Sequence, residues 1–409
     1  MINFNKSSLF NNQGKVHRSV LITGLSLVVI FAFIVSIVVY SNGNRVITPV
    51  DTLPVSDTST TTSSISITPN TPSSPNPPQI ISVVGHAVGI AAGSGLSKIS
   101  ATDLNAQLDQ AVALGATWVR FDIEWGLVQY SSPNNSTWSS YDMLINALAA
   151  HHLKGLGIIL FTPTWARDSK CTGGAKCPPK DPATFATFAA EVAQRYKGKV
   201  DAWEIWNEPN NYDFWATKTD CNAYTELLKA TYPAIKKVNP NAIIVTGGLA
   251  VEATDNNDVS QTDFLSCIYK DGGKNYFDAV GDHPYTFPAF PSSSAKSAWT
   301  QMSQTSPSLR SIMITNGDAN KKIWITEFGV PTNGPNSYWY LSEQGQAGMV
   351  TDAMNLYKRY TWAGPIFWYT LKDSGTDTST NENFFGLIRF DGSLKPAYQV
   401  LKNLLSTGL

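Results

Sequence analysis

The sequence predicts a (β/α)8 barrel, a TIM barrel of the α/β class, over residues 80–409, and two observations support this fold. β-rich segments alternate from residue 80 onward with segments whose apolar residues recur at three- and four-residue spacing, the pattern of parallel βα units. Eight β-rich segments can be counted, which favours a closed barrel over an open sheet. A nucleotide-binding sheet is disfavoured, since Gly93-Ser-Gly95 lacks the third glycine of a dinucleotide fingerprint.

The chain begins with a short tail, residues 1–19, followed by an uncharged apolar segment, residues 20–40. This segment is long enough to cross a bilayer as a helix, so we predict a transmembrane signal anchor. The alternatives are a cleaved signal peptide, disfavoured by the poor cleavage site after the segment, and a buried soluble helix. Lys6, Lys15 and Arg18 precede the segment, which predicts a cytoplasmic N-terminus and places the rest of the chain outside the membrane.

Residues 41–79 are rich in Ser, Thr and Pro and poor in large apolar residues. Such a composition cannot form a packed core, so we predict a disordered linker between the anchor and the barrel.

The predicted strands are short β-rich runs that end in Gly, Pro or polar residues. They lie at 81–88, 117–123, 155–161, 200–207, 242–248, 277–283, 322–328 and 364–370. The predicted helices between them include 103–114, 138–153, 183–196, 222–238 and 343–361, with starts at Asp103 and Asp181.

Two glutamates lie where predicted strands end. Glu208 follows strand four in the run WEIWNEPN, and Glu327 ends strand seven in the run KIWITEFG. Because reactive side chains of such barrels lie at the C-terminal ends of strands, we expect both carboxylates to face one cleft. Glu204 precedes Glu208 by four residues and should face the same way but deeper, as a buried structural carboxylate.

The motifs WNEPN, ITEFG and GLIRFDGSLKPAY resemble those of clan-A retaining glycoside hydrolases. The segments NNYDFW and YPAIKKVNPNAIIVTGG are most similar to bacterial family-39-like and cellulase-like (family 5) enzymes, and the resemblance covers nearly all of residues 80–409. It implies hydrolysis of a β-linked poly- or oligosaccharide with Glu208 as acid/base and Glu327 as nucleophile, because such enzymes use two carboxyl groups in opposite roles.

Further site residues follow from their places in the predicted barrel. The resemblance implies that Arg120, on strand two, supports the nucleophile, although a structural ion pair with Asp122 or Glu124 is an alternative. Asn207 is expected to bind the sugar 2-hydroxyl, with a backbone-capping role as the alternative. Tyr285 is predicted to donate to the nucleophile, and His283 to line the cleft or orient Glu208, with a core histidine as the alternative. The other predicted substrate-binding residues are Trp368 and Trp165 as sugar platforms and His86 on strand one.

Four cysteines follow the apolar segment. Cys171 and Cys177 bracket a short glycine-containing loop, and we expect a disulfide between them. Cys221 and Cys267 could form a second disulfide. No ligand spacing indicates zinc, no organic cofactor is implied, and a net charge of −1 offers no basic face for nucleic acid. The predicted function is thus a membrane-anchored glycosidase that works outside the cell, with transglycosylation or non-catalytic carbohydrate binding as alternatives.

Overall fold

The computed structural model describes residues 85–216, 218–293 and 297–408. Its centre is a closed barrel of eight parallel strands in which each strand pairs with its neighbours in chain order. The predicted (β/α)8 fold is therefore confirmed. The strands are β1 Val88–Ala91, β2 Trp118–Glu124, β3 Lys154–Leu160, β4 Ala202–Ile205, β5 Ile243–Thr246, β6 Ala279–Asp282, β7 Lys322–Phe328 and β8 Ala363–Tyr369.

The first strand differs from its predicted position. The prediction placed it at 81–88, of which 81–84 lie outside the described residues, whereas β1 runs from Val88 to Ala91. Pairing with both neighbours sets the register, since Ile90 lies opposite Val119 of β2 and Trp368 of β8. The apolar run before residue 88 resembles a strand in composition, but a barrel strand is defined by its two partners, which sequence composition does not show.

The α-helices form an outer layer around the barrel and follow the strands along the chain. The structure confirms the helix start at Asp181, whose side chain accepts a hydrogen bond from the Ala183 amide. The start predicted at Asp103 is wrong, because the helix begins at Ala101 with Ser100 as its cap, and Asp103 lies in the first turn. The helices are α1 Ala101–Leu114, α2 Trp125–Val128, α3 Ser139–Ala150, α4 Pro182–Arg195, α5 Cys221–Val238, α6 Gln261–Lys270, α7 Ala298–Ser303, α8 Leu309–Thr315, α9 Glu343–Tyr357 and α10 Pro396–Ser406.

Aromatic side chains fill the lower interior of the barrel. Trp118 packs edge-on against Trp324, with ring centroids 5.5 Å apart, and Phe367 completes the cluster. Gly89 makes room for this packing, because a Cβ there would lie 2.6 Å from the Phe367 ring. This apolar layer forms the floor of the polar site above it.

The predicted tail, apolar segment and linker (1–19, 20–40 and 41–79) lie outside the described residues. Within the described ranges, no helix is both long and apolar enough to span a bilayer. Two disulfides join Cys171 to Cys177 and Cys221 to Cys267, the two pairs named from the sequence.

Candidate active site

The two glutamates lie at the C-terminal end of the barrel, Glu208 after β4 and Glu327 near the end of β7. Glu208 follows β4 in a turn with positive φ at Trp206 (70°) and at Glu208 itself (45°). Residues other than glycine rarely adopt such values, and they cluster at functional sites. A register irregularity between Ile325 and Phe328 interrupts the alternation of β7, and Glu327 consequently faces the barrel mouth, as Thr326 before it does.

The two carboxylates are close together and almost inaccessible to solvent. Glu208 is 2% exposed and Glu327 is 6% exposed. One oxygen of each carboxylate and a ring nitrogen of His283 lie within 4.8 Å of one another. Retaining glycosidases hold their carboxyl groups about 5–5.5 Å apart, whereas inverting enzymes need about 6.5–9.5 Å to admit a water.

Arg120 lies beneath the cleft and donates hydrogen bonds to both Glu327 and Asn207. Its Nη1 donates to Oε1 of Glu327 at 2.5 Å, and its Nη2 donates to Oδ1 of Asn207 at 2.8 Å. Burial alone would lower the pKa of Arg120, but the negative charges of Glu204 and Glu327 hold it above its usual value. Of the two alternative partners, Glu124 pairs instead with Lys98 at 3.0 Å, whereas the negative charge of Asp122 also acts on Arg120.

Glu204 holds Arg120 from below. It accepts hydrogen bonds from Nε and Nη2 of Arg120 at 2.7 and 3.1 Å, and from the Gly248 amide at 2.8 Å. The hydroxyl of Thr326 is a further donor at 3.3 Å. Glu204 is fully buried, as the sequence analysis expected, and it also orients the cation that contacts Glu327.

Glu208 is arranged asymmetrically. Its Oε1 lies 2.8 Å from Nδ1 of His283, whereas its buried Oε2 has no hydrogen-bond partner among the described residues. A His283 that donates through Nδ1 fixes the carboxyl plane and leaves Oε2 available to carry a proton toward a ligand. Gly248 makes room for His283, because a Cβ there would collide with the imidazole ring.

Tyr285 completes the contacts to Glu327. Its hydroxyl donates to Oε2 of Glu327 at 2.8 Å. Burial, together with the negative charge of Glu327, raises the pKa of Tyr285 well above its usual value, so the phenol keeps its proton. Glu327 therefore accepts from Arg120 on one oxygen and from Tyr285 on the other, and both contacts stabilise its ionised form.

A cavity of about 490 Å³ opens above Glu327 and Asn207. Tyr369 lines it, and its hydroxyl donates to Glu382 at 3.0 Å. The prediction that Trp368 forms the platform is wrong, because Trp368 points away from the mouth and packs against Phe328, with ring centroids 5.9 Å apart. Side chains alternate along β8, so Tyr369, two residues after the interior Phe367, is the aromatic residue of this strand that faces the mouth.

Two other predicted platform or cleft residues lie elsewhere. Trp165 packs edge-on against Trp125, and its indole nitrogen donates to the Gln129 carbonyl at 2.8 Å, so it belongs to the loop wall outside the cavity. His86 precedes β1 and contacts the Tyr360 carbonyl at 2.9 Å, near the start of β8. It therefore lies at the N-terminal end of the barrel, a consequence of the later start of β1.

Sequence analysis missed Tyr369 and Gly248 as site residues. The period-2 alternation from Phe367 could have found Tyr369, whereas no local signal identifies Gly248.

The cluster of Glu208, His283 and Glu327 has the donor atoms of a metal site. The guanidinium of Arg120, which contacts Glu327 and lies 3.3 Å from Nε2 of His283, already places a positive charge there and opposes a second cation. Cys221, Cys267 and Asp271 form a second such group, but both sulfurs are consumed by the disulfide.

A family model described as cellulase, glycosyl hydrolase family 5, matches residues 85–370 of the sequence. The chain belongs to this family. It is accordingly a glycoside hydrolase of clan A, as the motifs WNEPN and ITEFG had indicated. The matched range contains both glutamates and every residue that contacts them in the preceding description.

Solved structures of glycoside hydrolases share the fold of this family 5 member. A family 39 glycoside hydrolase from the gut symbiont Bacteroides cellulosilyticus WH2 has a TM-score of 0.61 at 22% identity; the match covers 80% of this chain and 65% of that one. A family 39 enzyme from Xanthomonas axonopodis pv. citri has a TM-score of 0.59 at 20% identity, with 80% and 68% covered. GH5_18 from Streptomyces cattleya, in complex with GlcNAc, has a TM-score of 0.59 at 14% identity, with 79% and 80% covered.

Proposed function

We propose that this family 5 member hydrolyses a β-linked poly- or oligosaccharide with retention of anomeric configuration. The observation that carries the proposal is the approach of Glu208 and Glu327 to within 4.8 Å at the ends of β4 and β7. This separation leaves no room for a water between carboxylate and sugar, so one carboxylate must attack the anomeric carbon directly.

The first step is displacement of the departing sugar by Glu327. Arg120 and Tyr285 stabilise the ionised nucleophile, and Oε2 of Glu208 delivers a proton to the glycosidic oxygen. The bond from C1 to the leaving oxygen breaks as the bond from C1 to Glu327 forms. Asn207 accepts from Arg120 through Oδ1, which turns its amide nitrogen toward the sugar 2-hydroxyl.

The second step releases the sugar. Glu208, now ionised, takes a proton from a water that attacks C1 from the side where the leaving sugar departed. The bond from C1 to Glu327 breaks as the new bond forms, which frees the Glu327 carboxylate. His283 holds the Glu208 carboxyl in place through both steps. A sugar hydroxyl in place of water gives transglycosylation, and product analysis at high acceptor concentration separates the two outcomes.

The test is hydrolysis of aryl β-glycosides and of β-glucan, xylan and mannan oligosaccharides by the full chain. Glu208→Gln and Glu327→Gln should each lower activity by about 10³-fold or more, since each removes an essential carboxyl group. Glu191→Gln, a carboxyl on α4 that bonds Gln129 away from the cavity, is the control and should retain activity. With an activated aryl glycoside, azide should restore turnover to Glu208→Gln and yield a β-glycosyl azide. An α-configured first product would contradict retention.

We also propose that the barrel works outside the cell, anchored through residues 20–40. The support is the uncharged apolar segment and the basic residues that precede it. Cell fractionation should find the full chain in the membrane, with the barrel accessible to added protease. Recovery of the full-length chain in the soluble fraction would contradict the anchor.

A further inference from the structure

The cavity above the nucleophile lies on one side of the cleavage point. Of the described residues, Glu327 and Asn207 line it, whereas Glu208 does not. The nucleophile attacks C1 of the sugar that is retained on the enzyme, while the acid contacts the departing oxygen. This cavity therefore holds the sugars on the non-reducing side of the bond.

Most acidic groups that line the cavity already have a partner. Glu327 is paired with Arg120, Glu124 with Lys98 at 3.0 Å, and Asp373 with Lys395 at 2.8 Å. Glu382 accepts from the Tyr369 hydroxyl. Asp122 adds its negative charge to the field around Arg120. Three of these five acidic groups are thus paired with a cation, and Glu382 accepts a hydrogen bond.

Two lysines in the same wall differ from these acidic groups. Lys176, after β3, and Lys372, after β8, line the cavity, and neither forms an ion pair within the part of the chain that the structure describes. Each ammonium lies over an aromatic ring instead, Lys176 at 5.2 Å from the Phe214 centroid and Lys372 at 6.0 Å from the Phe390 centroid. Both rings line the cavity as well.

Lys176 is held firmly in this wall. The disulfide between Cys171 and Cys177 closes the loop that carries it. Main-chain hydrogen bonds tie the loop to the two adjacent segments, from Thr162 to the Ala175 carbonyl at 2.8 Å and from Ala216 to the Lys176 carbonyl at 3.1 Å. The main chain at Lys176 is thus already ordered, and only its side chain loses conformational entropy when it binds a ligand.

Asp213 is the carboxyl whose charge interacts with Lys176, but the two do not form an ion pair. Burial raises the pKa of Asp213, and the charge of Lys176 opposes this rise. Because Lys176 lies over Phe214 and has no ion-pair partner among the described residues, an anionic group gains a charge-assisted hydrogen bond there that a hydroxyl does not.

We propose that the cavity recognises an anionic sugar, one that carries a carboxylate or a sulfate, through Lys176 and Lys372. This inference rests on the proposed glycosidase function and adds the substrate class. The aromatic faces of Phe214 and Phe390 beside the two ammonium groups provide apolar contacts for the rings of the same sugars.

The test compares glycans that are matched in linkage and length. Binding to full-length Glu208→Gln protein is measured by calorimetry for β-1,4-oligoglucuronate against cello-oligosaccharide, and for β-1,4-oligomannuronate against manno-oligosaccharide. A 6-O-sulfated cello-oligosaccharide separates sulfate from carboxylate recognition. At low salt, at least one anionic glycan should bind about tenfold more tightly than its neutral counterpart, and added salt should reduce the difference.

The lysines are then replaced in the same background. Lys176→Met and Lys372→Met should each reduce the anionic preference by threefold or more, about the loss of one partly exposed charge interaction, and the double variant should abolish it. Lys180→Met, at an exposed position outside the cavity, removes an equal charge and should leave the preference intact. The proposal is overturned if the neutral glycans bind as well as the anionic ones, or if Lys180→Met has the same effect as Lys176→Met. Cleavage of neutral glycans that needs both glutamates but neither lysine would overturn this proposal alone, whereas lysine-dependent anion binding without any cleavage would contradict the catalytic function alone.

Discussion

Arg120 donates to both oxygens of Glu204, at 2.7 and 3.1 Å, and the same guanidinium reaches Glu327 at 2.5 Å. One buried cation thus lies between a structural carboxylate and the nucleophile. Since a buried cation must be both neutralised and oriented, Glu204 has a catalytic consequence although it does not face the cavity.

Glu204→Gln should lower both activity and stability. The amide keeps the shape of the side chain but turns an NH2 group toward donors on Arg120, so the guanidinium shifts away from Glu327. We expect kcat to fall about 100-fold, since small displacements in a site have effects of this size. We also expect the free energy of unfolding to fall by about 3 kcal/mol, as when one partner of a buried pair is removed. Steady-state kinetics and urea denaturation measure the two effects.

Glu226→Gln is the matched control for this variant. Glu226 pairs with Lys229 on the exposed face of α5, so its replacement should change stability by less than about 1 kcal/mol and leave kcat unchanged. Equal behaviour of the two variants would show that Glu204 has no positioning role.

Tyr285→Phe should lower kcat/KM by about 10- to 100-fold, because it removes a hydrogen bond to a charged nucleophile. Burial and the charge of Glu327 keep the pKa of Tyr285 well above its usual range, so the phenol does not deprotonate at working pH. The alkaline limb of the pH–activity profile should therefore have the same midpoint in both proteins. If the alkaline limb disappeared in Tyr285→Phe, the limb would belong to the ionisation of Tyr285. Tyr130→Phe, at a site that is 78% exposed, is the control.

Tyr369→Ala should weaken substrate binding, whereas Trp368→Phe should affect stability alone. Tyr369 lines the cavity, and loss of its ring removes a stacking surface, so kcat/KM should fall about tenfold or more. Trp368, in β8, is buried against Phe328, and replacing its indole by the smaller phenyl ring should lower the free energy of unfolding by about 1–3 kcal/mol. The reverse pattern in kinetics and thermal unfolding would mean that Trp368 is the platform.

Glu252→Gln should change how stability depends on pH. Burial raises the pKa of Glu252 to about 8, with repulsion from Asp258 and Glu208 as further causes. The unfolded chain ionises this group near 4.5 while the folded protein keeps it protonated until about 8, so its contribution to stability is present in acid and is lost as pH rises across this interval. Glu252→Gln has no carboxyl group to ionise at this position, so it does not lose this stability as the pH rises.

The variant should therefore gain stability relative to the parent protein by about 1–2 kcal/mol between pH 5 and pH 8, a value reduced for partial exposure. Urea denaturation at both pH values measures the change. A constant difference between the two proteins across this range would show that Glu252 titrates normally.

The sequence by itself determined the fold class, the ends of most strands and the two glutamates. Local signals were sufficient there, because a (β/α)8 barrel repeats one pattern eight times and presents its reactive residues where strands end. The motifs around Glu208 and Glu327 also indicated the family that the match over residues 85–370 shows.

Only the tertiary structure decided which neighbouring residues face the site. β1 begins at Val88 because its two partners set its register, and this places His86 at the opposite end of the barrel. Strand alternation directs Tyr369 rather than Trp368 to the mouth, and the irregularity in β7 turns Glu327 inward. Composition specifies which segments become strands, whereas pairing across the closed barrel sets each strand's register, and a shift of one residue reverses the face of every side chain.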